Sequence, residues 1–171
     1  MWFVCFFIVR ILDKLYSQVF FGDFALVFFK VVRYFTLLGN VFPQLLLCFV
    51  LSLINFQKAY CILGLWGWAY FLNIIIKNVV RRTRPNHAQQ RIKVTGYSFA
   101  SGHALTSCVL YCSIVKYFSI QMPLAAGLYA MPILLGLSRL YLRVHYPSDV
   151  ISGWLIALTY LHFAQDLLYV Y

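Results

Sequence analysis

The feature that most constrains this chain is the length of its apolar runs. The stretches 36–54, 60–80, 104–118, 124–142 and 151–170 carry at most one formal charge each. Most of them approach the ~20 residues that a helix needs to cross a bilayer. Hydrocarbon offers no water to backbone N–H and C=O groups, so runs of this kind fold as helices that bond internally and pack on one another. Only 11% of residues are charged and 63% are hydrophobic, which leaves little polar surface for a soluble domain. The expected fold is therefore all-α, a polytopic transmembrane bundle of five to six helices. It is expected to form one domain over 1–171, with an apolar, interfacial N-terminal segment at 1–35 and the bundle proper at 36–171.

The N-terminal segment is broken by charge before it reaches span length, at Arg10, Asp13 and Lys14, and again at Asp23, Lys30 and Arg33. It has no basic start and no small-residue cleavage site, so it is expected to stay in the mature protein, near the interface or tilted against the bundle. Gly64 and Gly67, within 60–80, are expected to permit close helix packing. The five cysteines, Cys5, Cys48, Cys61, Cys108 and Cys112, are scattered through apolar segments without CxxC or zinc spacing, and read as small buried hydrophobes. The formal charge of +10 in so apolar a chain points to anionic lipid headgroups and not to nucleic acid.

Polar chemistry is confined to three places, each at the end of an apolar run. The first is Lys77-Asn78-Val79-Val80-Arg81-Arg82-Thr83-Arg84-Pro85. If the helix continues to Pro85, Lys77, Arg81 and Arg84 project from one face, an arrangement that can clamp an anion. The plain alternative is a basic flank anchoring a span at the headgroups. The second place is Ser101-Gly102-His103, just before the run at 104–118. Ser101 is placed to cap that helix, Gly102 lets an oxyanion approach backbone N–H groups at the positive end of the helix dipole, and His103 can give a proton to a leaving oxygen. An ordinary N-cap accounts for Ser-Gly-His taken alone. The third is Ser138-Arg139-Leu140-Tyr141-Leu142-Arg143-Val144-His145-Tyr146-Pro147-Ser148-Asp149. Arg139 and Arg143 are spaced to share a helix face until Pro147 breaks the helix. A carboxylate at 149 can accept from one ring nitrogen of His145, fixing its tautomer and leaving the other nitrogen to attack.

A second His-x-x-x-Asp, His162 to Asp166, lies seventeen residues beyond His145. At ~1.5 Å per residue that is roughly 25 Å away along a helix, and no arginine accompanies it. It reads as a polar pair near the opposite interface, and His87 as a loop histidine facing water.

In order, Lys-x6-Arg-Pro, Ser-Gly-His and Ser-Arg-x5-His-x3-Asp resemble the signature of the type 2 phosphatidic acid phosphatase family, PAP2, from about residue 36 to the C-terminus. One departure is Ala100, where the family usually has proline. The resemblance implies a six-helix membrane fold and a hydrolase acting on lipid phosphates. It implies that Lys77, Arg84, Ser101, Gly102 and Arg139 hold the phosphate and that His145 attacks phosphorus to form a phosphohistidine. Asp149 would orient His145, and His103 would protonate the leaving group and then activate water. No cofactor or metal is implied, and the four acidic residues, Asp13, Asp23, Asp149 and Asp166, are too dispersed along the chain to suggest a two-metal site.

The partners implied are the bilayer and a lipid phosphate, with phosphatidylglycerophosphate, lipid A 1-phosphate and undecaprenyl diphosphate as candidate substrates. A non-catalytic lipid-phosphate binding or transport protein is the alternative, though it would not need His103 or the pair His145 and Asp149. Counting cations puts the basic loops in the cytoplasm. Several of those cations are committed to phosphate, however, and the family commonly faces away from the cytosol. The site is thus expected on the periplasmic side of a bacterial inner membrane.

Overall fold

The computed structural model describes residues 11, 13–16, 26–85 and 90–168. The apolar start at 1–10, Cys5, Asp23 and His87 lie outside them. Helix α1 is Leu26–Phe35, followed by a 3₁₀ turn at Thr36–Gly39. Five longer helices follow among the described residues: α2 Val41–Ile54, α3 Phe56–Val80, α4 Gly102–Tyr117, α5 Leu124–Tyr141 and α6 Pro147–Leu168. The chain is an all-α transmembrane bundle with no strand among the described residues.

The bundle is organised around α4. Leu105, Cys108 and Val109 pack with Leu65 and Ala69 of α3 and with Ala157 and Leu161 of α6. On the other side Leu110, Tyr111 and Ile114 pack with Cys48 of α2, Trp66 of α3 and Leu135 of α5. Flanked in this way, α4 can afford Thr106, Ser107 and Ser113, all buried. Large apolar side chains elsewhere point outward, among them Phe42, Leu53, Trp68, Val79, Leu155 and Phe163. That is the arrangement expected where the surrounding solvent is lipid tails.

Among the described residues two helices, α3 and α5, are long and apolar enough to cross a membrane by themselves, and a third span results if 27–39 and 41–54, bent by 58°, are taken as one. The uninterrupted span expected from residue 36 is not there, because the 3₁₀ turn and the bend at Asn40 break it. At 16 residues α4 reaches only ~24 Å.

Helix ends differ from the sequence reading in ways that matter for the site. α3 stops at Val80 with Arg81 in left-handed backbone, φ 49°, well before Pro85. α5 stops at Tyr141. There the Arg143 N–H bonds to Leu140 O (2.9 Å) and the Val144 N–H to Arg139 O (3.2 Å) around a left-handed Arg143, φ 55°. This is a Schellman closure with arginine where glycine is usual. Arg139 and Arg143 therefore do not share a helix face. Gly64 and Gly67 also depart from expectation, since a side chain at either would meet nothing within 4 Å. Close approach occurs instead at Gly136, where a Cβ would lie 2.4 Å from the Trp154 ring, and at Gly153, where it would lie 2.9 Å from Ser101 O. Gly153 thus lets α6 press against the start of α4. Cys48 and Cys108 are buried as expected, and Cys61 and Cys112 partly so.

Candidate active site

The ends of α3, α4, α5 and α6 that carry the three motifs meet at one end of the bundle. The amide of Ser101 donates to Asp149 O at 2.9 Å, tying the start of α4 to the start of α6. The loop after α3 is folded back by its own cations. Lys77 Nζ donates to Tyr97 O (3.0 Å) and Ser98 O (3.4 Å). Arg84 donates to Gly96 O (2.9 Å), Thr95 O (3.3 Å) and Val144 O (2.8 Å). Ala100, at the position where proline was expected, is fully buried, and its carbonyl accepts from Asn73 Nδ2 at 3.2 Å.

His145 sits in the turn between α5 and α6, buried, with its two ring nitrogens in different settings. Nε2 lies 3.3 Å from Arg84 Nη1. Nδ1 lies 3.4 Å from Asp149 Oδ2, within ion-pair distance but without a formed hydrogen bond. Asp149 is fully buried and well held. Oδ2 accepts from the Tyr146 N–H at 3.0 Å, and Oδ1 accepts from Arg82 Nη1 at 2.9 Å. Burial is the main cause that pulls the His145 pKa down from 6.5 to about 4, with Asp149 opposing and Arg139 and Arg84 adding to the fall. The ring is therefore neutral at physiological pH, the state in which a nitrogen lone pair is available. Burial likewise holds Arg84 below the ordinary guanidinium range, with Asp149 opposing.

Arg139 is 5% exposed. Its Nη1 donates to Thr36 Oγ1 at 3.1 Å, and its Nε has no partner. Among the described residues no carboxylate pairs with Arg139, Arg84 or Lys77, the ion pairs there being those of Arg82 and His145. Lys77, Arg84, Arg139 and Asp149 are nonetheless within electrostatic reach of one another, as are His103, His145, Arg84 and Arg139. Three more buried polar atoms lack a hydrogen-bond partner here, Ser101 Oγ, His103 Nε2 and His145 Nδ1. Ser101 does precede α4 as its N-cap, but its hydroxyl makes no capping bond. Gly102 follows it, and a Cβ there would lie 3.1 Å from Asn73 Oδ1. Isolated buried cations and unpartnered donors are costly unless an anion joins them. The chemistry of this set suits a phosphoryl group.

All eight motif residues, Lys77, Arg84, Ser101, Gly102, His103, Arg139, His145 and Asp149, are thus brought to one region. Arg81 is not among them. It is exposed, with its Nε on Asn78 O, because α3 ends before the face that would have aligned it with Lys77 and Arg84. His162, at the far end of α6, is exposed and remote. Among the described residues no three His, Cys, Asp or Glu side chains converge as metal ligands.

Several contributors went unread in the sequence. Arg82 bonds Asp149, Asp13 and Ser148. Thr36 accepts from both Arg139 and Ser138 Oγ (2.9 Å), and its backbone is in hydrogen-bonding range of the His103 ring. At Gly39 a Cβ would sit 2.3 Å from His103 Cδ2, so the 3₁₀ turn forms a floor under that ring. Thr36 and Gly39 are small residues in an otherwise bulky apolar stretch, the one sequence signal that something packs closely there.

The family profile of the PAP2 superfamily matches residues 46–168. Phosphatidylglycerophosphatase B of Bacillus subtilis is 31% identical over 104 residues, covering 54% of this chain and 49% of that protein. Decaprenylphosphoryl-5-phosphoribose phosphatase of Mycolicibacterium smegmatis is 35% identical over 88 residues, covering 50% of this chain and 46% of the relative. The matched stretches span about half the length of these relatives. In three dimensions the crystal structure of a transmembrane PAP2 type phosphatidylglycerolphosphate phosphatase from Bacillus subtilis superposes with a TM-score of 0.80 at 22% identity, over 96% of this chain and 92% of that one. Aquifex aeolicus LpxE superposes with a TM-score of 0.78 at 19% identity, over 91% and 93%. At these identities the two structures speak to the fold.

Proposed function

The chain belongs to the PAP2 superfamily, and from that premise we propose that it is a membrane lipid phosphatase that works through a phosphohistidine. The observation that carries this reading is the buried, carboxylate-free Arg139 beside Arg84 and Lys77, in reach of a neutral His145 whose Nε2 faces Arg84.

Lys77, Arg84, Arg139, the Ser101 hydroxyl and the Gly102 N–H hold the phosphate oxygens and neutralise charge as the phosphoryl group moves. His145 Nε2 forms a bond to phosphorus while the bond from phosphorus to the leaving oxygen breaks. His103 Nε2 gives that oxygen its proton. Asp149 accepts from Nδ1–H and balances the positive charge that appears on the ring. In the second half His103 takes a proton from water, the water oxygen bonds to phosphorus, the P–N bond breaks, and phosphate leaves. The neutralising charges come from guanidinium and ammonium groups, so the reaction is written without a metal.

The substrate is a phosphate monoester or diphosphate on a lipid headgroup. Phosphatidylglycerophosphate is favoured by the name of the relative from Bacillus subtilis, with lipid A 1-phosphate and undecaprenyl diphosphate as the further candidates. The site is assigned to the periplasmic face of a bacterial inner membrane. The test is phosphate release by purified protein from a panel of these lipids in detergent, with and without EDTA. Release that persists in EDTA, is inhibited by vanadate and is lost in His145→Ala is the expected result. No release from any lipid, or full activity in His145→Ala, refutes the proposal.

A further inference from the structure

The mechanism above leaves one network at the site unused. Asp13, from the N-terminal segment, is 7% exposed and reaches the start of α6. Its Oδ1 accepts from the Ser148 N–H at 3.3 Å and its Oδ2 from Ser148 Oγ at 2.6 Å. The same Oδ2 accepts from Arg82 Nη2 at 2.7 Å, while Arg82 Nη1 donates to Asp149 Oδ1 at 2.9 Å and to Ser148 Oγ at 2.6 Å. The Arg82 guanidinium lies 4.2 Å from the centre of the Tyr146 ring. One planar fork is thus divided between two carboxylates.

That division has a consequence for His145. A guanidinium beside a single carboxylate prefers to grip both oxygens in parallel. If Arg82 did so with Asp149, it would compete for Oδ2, the oxygen that lies 3.4 Å from His145 Nδ1. Asp13 holds the other arm and prevents that capture. We propose that Asp13 is a positioning residue for the site: by taking one arm of the Arg82 fork, it limits Arg82 to one oxygen of Asp149 and reserves the other for His145. The inference rests on the reading of His145 as nucleophile and Asp149 as its partner. It adds a part of the chain, the N-terminal segment, to which the motifs give no role.

Charge points the same way. Asp13, Arg82 and Asp149 together carry one net negative charge, which is what a transient imidazolium needs beside it. With Asp13 neutralised the group is neutral overall, and Asp149 is spent on Arg82.

The test measures kcat and KM for a lipid phosphate in detergent, together with inhibition by vanadate, for wild type, Asp13→Asn, Arg82→Lys, the double variant, Asp149→Ala and His145→Ala. Asp13→Asn loses roughly tenfold or more in kcat, the scale seen when the outer partner of a functional side chain is removed. Its KM and vanadate inhibition stay near wild type, because nothing that touches phosphate has changed. Lysine is a point charge that cannot fork. The double variant therefore turns over faster than Asp13→Asn alone, and Arg82→Lys alone loses less than Asp13→Asn. A merely structural role for Asp13 predicts the opposite, a double variant no better than its worse parent.

A wild-type kcat in Asp13→Asn overturns the proposal. So does a double variant slower than Asp13→Asn, or a loss in which KM and vanadate inhibition worsen together. If Asp13→Asn does not fold, Arg82→Lys decides: a kcat as low as that of Asp149→Ala means that the fork itself orients Asp149, and the proposal fails. Activity in His145→Ala, or none in wild type, defeats the phosphatase reading instead.

Discussion

Replacing Arg139 by methionine should leave the protein at least as stable and nearly inactive. Arg139 is 5% exposed, gives one hydrogen bond to Thr36 Oγ1 at 3.1 Å, and leaves its Nε unpartnered. Losing that bond costs about 1 kcal/mol. The Thr36 hydroxyl is not orphaned by the change, since it keeps Ser138 Oγ at hydrogen-bond distance, 2.9 Å. Against this stands a buried guanidinium with no carboxylate, whose desolvation is worth several kcal/mol, and apolar replacements of buried ionic groups stabilise by about 1–4 kcal/mol. The expected net gain runs from near zero to about 3 kcal/mol. For activity the balance reverses, since removing one preorganised donor from a charge-stabilising site costs about 10²–10³ in kcat. Thermal unfolding in detergent, followed by a thiol-reactive dye that reports exposure of Cys48 and Cys108, reads the first effect. Phosphate supplies a second readout. At about a hundredfold its Kd it adds ~2.7 kcal/mol to wild type, and the variant, with its clamp weakened, gains far less at the same concentration. An Arg139→Met protein that is less stable than wild type without phosphate, or that phosphate stabilises equally, would refute the view of Arg139 as an anion-seeking charge.

Three further outcomes follow from the geometry. Gly39→Ala places a Cβ where His103 Cδ2 now lies 2.3 Å away; with the ring displaced, kcat falls on lipid alcohol phosphates and falls less on an activated aryl phosphate, whose oxygen leaves without an acid. Equal losses on both substrates would argue against His103 as the proton donor. In the proposed mechanism attack requires neutral His145, whose pKa is lowered to about 4, so the acid limb of kcat/KM falls near 4, while loss of the proton that His103 donates sets the opposite limb; an acid limb at the ordinary histidine value would contradict the buried setting of His145. A green fluorescent reporter fused after Tyr171 fluoresces if the C-terminal end of α6 faces the cytoplasm, as a periplasmic site requires, and an active periplasmic reporter at that point would reverse the orientation.

Apolar run length was legible as helices, and so was the meeting of three polar motifs at one end, because each motif stood at the end of a run and an even number of crossings separates the two polar loops. What the sequence could not show was where each helix stops. Arg81 looked aligned with Lys77 and Arg84 only if α3 continued to Pro85. The actual stop at Val80 turns Arg81 outward and Arg82 inward. Adjacent arginines cannot be told apart by composition, since the choice depends on one left-handed residue. The partnership of Asp13 with Arg82 was invisible for a different reason. The two are 69 residues apart, and no periodicity relates a carboxylate in an N-terminal segment to a loop that far along the chain. Thr36 likewise read as the first residue of a span, although it is the hydroxyl on which Arg139 and Ser138 converge.

The length of α4 bears on which phosphates this site can meet. At 16 residues α4 is ~24 Å long against a hydrocarbon core of ~30 Å, yet it is buried along most of its length and is sheltered by α3, α5 and α6. A helix in contact with lipid would answer such a mismatch by thinning the bilayer. An enclosed one can simply start deeper, and Ser101, Gly102 and His103 start with it. In the proposed reading, the phosphate-binding start of α4 then lies below the outer limit of the headgroups. Water-soluble phosphates must give up hydration to reach that depth, whereas a phosphate already anchored by acyl or prenyl chains arrives there by lateral diffusion. If depth is what selects the substrate, then shortening the acyl chains of a phosphatidylglycerophosphate analogue in vesicles should raise KM while leaving kcat in place, since the clamp contacts only the headgroup. A fall in kcat with KM unchanged would mean that the chains act on the chemistry and that depth is not the selector.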